Sequence, residues 1–137
     1  MSAKDIYHDD VRSALIKDAW TITDDPLRLR WGKKDYYVDL GAERVIAAEK
    51  SGRRIAVEIK SFLGPSIVDD MEKALGQYLI YRSIMKRRQP DREVFLAIPR
   101  SIGRLFDEPL GKLLLEDYEL RIVVFDPRKK EIIRWLP

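Results

Sequence analysis

Arg53-Arg54-Ile55-Ala56-Val57-Glu58-Ile59-Lys60-Ser61-Phe62 is the stretch whose reading decides the fold. Its β-branched residues predict a strand, in which successive side chains point to opposite faces. Ile55, Val57 and Ile59 therefore point one way, into a core, while Glu58 and Lys60 stand together on the other face. A polar turn, Lys50-Ser51-Gly52-Arg53, precedes the strand, and the breaker Gly64-Pro65 follows it.

Working outward, Gly64-Pro65-Ser66 leads into a predicted helix of some twenty residues. Ser66 with Asp69 has capping-box spacing, Asp69 and Asp70 suit the positive end of the helix dipole, and Lys86-Arg87-Arg88 suit the negative end. Val94-Phe95-Leu96-Ala97-Ile98 is apolar throughout, as in a strand covered on both faces. Ser101 to Tyr118 reads as helix interrupted near Pro109, and Ile122–Phe125 with Ile132–Leu136 as a closing hairpin. Upstream, a helix is expected from about Ala3 to Trp20, then a turn at Asp24-Asp25-Pro26. Strands are expected at Leu27–Trp31 and Tyr36–Leu40, with Val45–Glu49 either a third strand or a continuation of the second beyond Gly41. The order predicts an α/β sandwich, a mixed β-sheet flanked by helices, in one domain over residues 1–137. It matches the helix-strand order of the restriction-endonuclease-like, or PD-(D/E)XK, fold, although that order is not unique to it.

The composition narrows the chemistry. The chain has 137 residues, no cysteine and one histidine, His8. Disulfides, thiol catalysis and cysteine-based zinc sites are excluded, and a reducing cytoplasm fits. No apolar run approaches the length of a membrane span. A net charge of +3 permits nucleic-acid binding without requiring it. Basic residues gather at Lys33-Lys34, Arg53-Arg54, Lys86-Arg87-Arg88 and Arg128-Lys129-Lys130, each of which is also an ordinary solvated turn.

With 23 acidic residues and 11 lysines, an acid-x-Lys triplet is expected about twice by chance. It occurs once, at Glu58-Ile59-Lys60, where the flanking pattern is that of a strand end. An acid and a lysine on one strand face, with Asp39 upstream, read as the Asp…Glu-x-Lys core of a metal-dependent nuclease. In that reading Asp39, Glu58 and the carbonyl of Ile59 hold Mg²⁺ or Mn²⁺ through hard oxygen donors. Lys60 orients or deprotonates the nucleophile and offsets charge in the transition state. Asp39 closes the otherwise apolar run Tyr36-Tyr37-Val38 and is either a turn cap or a ligand. Glu43, Glu49, Asp9 and Asp10 are alternative acids, with His8 beside the last two. Gln77 and Tyr81, four apart on the long helix, share one of its faces. The pair resembles the Gln-x-x-x-Tyr of RecB-type nucleases, which implies that it approaches the centre and contacts DNA; the alternative is that Tyr81 packs in the core with Gln77 at its edge. Lys86 and Arg87 extend the candidate DNA-binding set.

Several segments resemble one family. They include Asp39-Leu40-Gly41-Ala42-Glu43, Ile46-Ala47-Ala48-Glu49-Lys50, Glu72-Lys73-Ala74-Leu75-Gly76-Gln77-Tyr78 and Val124-Phe125-Asp126-Pro127. The most specific is Ala56-Val57-Glu58-Ile59-Lys60-Ser61-Phe62-Leu63-Gly64-Pro65-Ser66. Together they resemble the XisH family, the fdxN-element excision controlling factors of cyanobacteria. The resemblance implies a restriction-endonuclease-like fold and a role in programmed excision of a DNA element. It also implies DNA, a companion protein, XisI, and a site-specific recombinase as partners. It leaves two activities open, a Mg²⁺-dependent DNA endonuclease and a non-catalytic DNA- or partner-binding accessory factor. Ile132 to Pro137 is a candidate edge for strand addition by a partner, or an ordinary edge strand tucked against the core.

Overall fold

The structure is a computed structural model that describes residues 6–28, 30–35 and 45–136. Helix α1 (His8–Lys17) buries Val11, Ala14 and Leu15 along one stripe. It stops short of the expected Trp20 because Ala19 takes a left-handed φ of 69°, which no helix continues. Strand β1 (Thr21–Asp24) follows at once. The sequence pattern did not predict it, and the expected turn accordingly begins at Asp25. Of the described residues in the expected strand Leu27–Trp31, only Arg30–Trp31 (β2) pair, with Lys34–Asp35 (β3), around Gly32. Leu27 is buried in the core instead. The expected strand Tyr36–Leu40 lies outside the described residues.

Strands β4 (Val45–Lys50) and β5 (Arg53–Ile59) form a hairpin through Ser51 and Gly52. Both turn residues have positive φ, 50° and 81°, the geometry that matches the twist of a two-residue hairpin. Helix α2 (Ile67–Arg88) then crosses back, and β6 (Arg92–Pro99) lies parallel to β5. A short helix α3 (Arg100–Gly103), a 3-10 turn (Arg104–Asp107) and helix α4 (Pro109–Tyr118) lead to β7 (Ile122–Asp126). Strand β7 is parallel to β6, and β8 (Glu131–Leu136) closes the sheet antiparallel to it. The six-stranded order is β1-β4-β5-β6-β7-β8. This is a mixed α/β fold in which helices flank a mixed sheet.

Each face of the sheet has its own core. On one, Val11, Leu15 and Trp20 pack with Ile55, Val57, Ile59, Phe95 and Phe125. On the other, Met71, Ala74, Tyr78 and Tyr81 of α2 pack with Ala56, Leu96, Ile98, Ile122 and Val124. The alternation read from β5 is therefore the partition between the two layers. Among the described residues, no helix is long and apolar enough to cross a membrane.

Candidate active site

The site is built at the end of β5. Ile55, Val57 and Ile59 are fully buried towards α1, so Glu58 points to the opposite face, the α2 layer. Glu58 stands opposite Val45 on β4 and Leu96 on β6, and it is 0% exposed. The expectation of a carboxylate on the second face holds, but helix α2 covers that face, so the carboxylate is enclosed. Lys60 continues the strand's alternation because its N–H donates to the Ala97 carbonyl at 3.0 Å. It therefore shares the Glu58 face, and it is half-buried.

The loop that follows is anchored to α2 at two points. The Gly64 N–H donates to the Asp70 carboxylate at 2.9 Å, and the Asp69 N–H donates to the Ser66 hydroxyl at 3.2 Å. Ser66 is thus the helix cap that the sequence suggested. The acid one position further on, Asp70, fixes the approach of the chain. A Cβ at Gly64 would meet that carboxylate at 2.7 Å, so the close approach uses the missing side chain.

Helix α2 is fixed over the sheet by a residue that the sequence pattern did not single out. The Tyr78 hydroxyl donates to the Val94 carbonyl at 2.9 Å and accepts from the Arg121 N–H at 3.2 Å. Burial of the phenol is the largest influence on its pKa and pushes it up, against the Arg121 N–H and the Arg82 guanidinium. The helical stripe Met71, Ala74, Tyr78, Tyr81, Met85 carried the signal for this anchor. Gln77 is half-buried with its amide oxygen wholly enclosed. Tyr81 is 2% exposed and lies in the α2-side core.

The other sequence-derived residues lie elsewhere. Lys86 and Arg87 are exposed in the last turn of α2, and Lys86 is roughly 13 Å along the axis from Gln77. The Arg87 guanidinium donates to the Ser83 carbonyl at 2.9 Å and lies 6.0 Å from the Trp31 ring centre. Glu49 sits at the far end of the β4–β5 hairpin, bonded to Arg54 at 3.1 Å. Asp9 and Asp10 belong to α1, on the opposite face of the sheet from Glu58. His8 is buried, and its Nε2 lies 2.8 Å from Asp25, which also pairs with Arg12. Burial is the largest influence on the Asp25 carboxyl and acts to raise its pKa. The His8 and Arg12 hydrogen bonds together outweigh it and hold the group below the usual range. Asp39 and Glu43 lie outside the described residues. Among the described residues, no three His, Asp or Glu side chains gather as a metal-holding group.

The structure thus brings Glu58, Ile59 and Lys60 to one strand end, beneath the helix that carries Gln77 and Tyr81. Such an arrangement offers hard oxygen donors and an ammonium beside them in a sheltered place.

A family model described as XisH protein matches residues 1–133. The crystal structure of an XisH family protein from Nostoc punctiforme is similar with a TM-score of 0.86 at 35% sequence identity, covering 97% of this chain and 100% of that one. The crystal structure of an fdxN element excision controlling factor protein from Anabaena variabilis is similar at 0.85 and 35% identity, covering 97% and 99%. Comparison with curated proteins gives no match.

Proposed function

The chain belongs to the XisH family, and from that premise we propose that it controls excision of a DNA element as a metal-dependent DNA endonuclease. The framework is the restriction-endonuclease-like PD-(D/E)XK fold, in one domain over residues 1–137, acting in the cytoplasm. The observation that carries this reading is Glu58, a carboxylate with no exposed surface on the central strand of a packed sheet. Burying a carboxylate costs several kcal/mol, far more than an apolar side chain in the same place. Chemistry that needs the group there accounts for the cost.

The donor set fits a hard cation. Glu58 and the Ile59 carbonyl supply oxygens, Asp39 is the proposed second carboxylate, and the chain has no thiol to compete. When bound, Mg²⁺ or Mn²⁺ would polarise the phosphodiester and make a bound water a stronger nucleophile. Lys60 places positive charge beside that water and the phosphate, which favours the more negative transition state. Gln77 supplies an amide that orients the water or a phosphate oxygen, while Tyr81 supports it from the core. Lys86 and Arg87 meet the DNA backbone further along α2. A companion protein of the XisI kind and a site-specific recombinase complete the proposed system. The β8 edge of the sheet, where Ile133 is 45% exposed, is the strand we assign to the companion.

Diffraction from a crystal soaked in Mn²⁺ tests the centre. The expected result is an anomalous peak at Glu58 that disappears in Glu58→Ala; no peak there at millimolar Mn²⁺ would remove the enzyme reading. A second reading is an accessory factor that binds DNA without cutting it. It predicts no cleavage by the wild-type protein and salt-dependent DNA binding that persists in Glu58→Ala.

A further inference from the structure

Strands β5, β6 and β7 run parallel, so their C-terminal ends share one edge of the sheet. In open α/β sheets, ligands bind along that edge. Here it presents Lys60 after β5, Arg100 directly after β6, and Asp126 at the end of β7. Between the ends of β6 and β7 lies an open cleft of about 530 Å³ lined by Tyr7, Arg100, Ser101, Arg104, Asp126 and Arg128.

The single acid of the cleft is used within its wall. One oxygen of the Asp126 carboxylate accepts from the backbone N–H groups of Arg128 at 2.9 Å and Lys129 at 3.1 Å, which holds the turn carrying Arg128. The other oxygen lies 3.5 Å from the Arg100 guanidinium. The Lys129 N–H is the largest influence on this carboxyl and, with the Arg128 N–H and against burial, holds its pKa below the usual range. Among the described residues, the Arg104 and Arg128 side chains make no hydrogen bond or ion pair, and both are exposed. The Tyr7 ring packs edge-on against Phe125, with centres 5.7 Å apart, and lines the cleft beside them. Three guanidinium groups against one internally bonded carboxylate make a concave positive site with planar, forked donors, the geometry suited to phosphate oxygens.

We propose that this cleft binds a phosphate group, and that in the DNA complex it holds a backbone phosphate of the strand presented to Glu58 and Lys60. The second half rests on the nuclease reading above. The cleft and the centre share the C-terminal edge of the parallel strands, the cleft beside Tyr7 on the α1 side and Glu58 on the α2 side, so a DNA strand that passes over that edge meets both.

Two probes of the full-length protein test the two halves. Inorganic phosphate, followed by amide NMR, is expected to give saturable shifts at residues 100–104 and 126–129, weakened at least tenfold in the Arg104→Gln/Arg128→Gln double variant. No saturable shift there overturns the site. With duplex DNA, the double variant is expected to lower the slope of log affinity against log salt by about 0.9, the value for the one phosphate that the cleft no longer neutralises. Arg53→Gln, at the opposite end of β5, is the control expected to change that slope least. Tight DNA binding with an unchanged slope in the double variant overturns the backbone assignment. Phosphate binding with no DNA binding supports the cleft as a site for a small phosphate compound and overturns the nuclease reading.

Discussion

Replacing Tyr78 with Phe removes one oxygen atom from the contact that sets helix α2 over the sheet. The ring is fully buried and keeps its packing in Phe, so no cavity of consequence forms. What changes is the pair of hydrogen bonds to the Val94 carbonyl and from the Arg121 N–H. Leaving such enclosed groups without their partner costs about 2 kcal/mol. With a urea m-value of about 2 kcal/mol/M for a chain of this size, the unfolding midpoint should fall by about 1 M at constant m. The raised phenol pKa adds a signature in pH. The native state keeps the Tyr78 proton where the unfolded chain has lost it. Its contribution is therefore full below about pH 10, the unfolded value, and is lost as pH rises through the higher folded value. Urea titrations at pH 7 and pH 11 should show the variant less stable at neutral pH and less sensitive to alkali than the parent. A midpoint within 0.2 M, roughly 0.4 kcal/mol, of the parent at pH 7 would refute the anchoring role.

Two further outcomes concern contacts elsewhere in the fold. Asp25→Asn removes the charged partner of His8 and Arg12 and should cost about 2 kcal/mol at pH 7. Because the parent carboxyl has a depressed pKa, its contribution is present above about pH 4 and lost as pH falls through the folded value, so the two proteins should converge in denaturant titrations towards pH 2. Gly111→Ala would set a Cβ 2.0 Å from the Leu105 carbonyl oxygen and 2.5 Å from the Phe106 Cα, both backbone atoms. Forcing α4 off the 3-10 turn should cost about 3 kcal/mol and lower the thermal midpoint by roughly 10 °C in calorimetry.

Much of the fold was legible in the sequence because its signals are local. Gly64-Pro65-Ser66 marks the start of α2, Ser51-Gly52 the hairpin, and the unbroken apolar run of β6 a strand covered on both faces. Strand β1 was not legible. Thr21-Ile22-Thr23-Asp24 is an edge strand, exposed along most of its length, and has no apolar period to announce it. Leu27 looked like the start of a strand, but it is buried in the core on the α2 side of the sheet, among residues far along the chain. The candidate site divides in the same way. Alternation alone put Glu58 and Lys60 on one face. That this face is enclosed depends on α2 lying over it, which no residue near Glu58 encodes. Tyr78, between Gln77 and Tyr81, was not legible as an anchor, because a tyrosine in an apolar stripe reads as packing until its hydroxyl is seen to bridge β6 and the entry to β7. Arg100 and Arg104 stand apart in sequence from Arg128, and only the parallel ends of β6 and β7 bring them to one cleft.

The central claim is that Glu58, Ile59 and Lys60 form a hydrolytic centre. Incubation of purified protein, alone and with its companion, with plasmid, branched and single-stranded DNA in Mg²⁺ or Mn²⁺ tests it most directly. The wild-type protein should cut at least one substrate, and Lys60→Ala, whose side chain is only half-buried, should fold normally and lose at least 100-fold in rate. Equal cleavage by wild type and Lys60→Ala, or none by wild type on any substrate with either metal, would contradict the account.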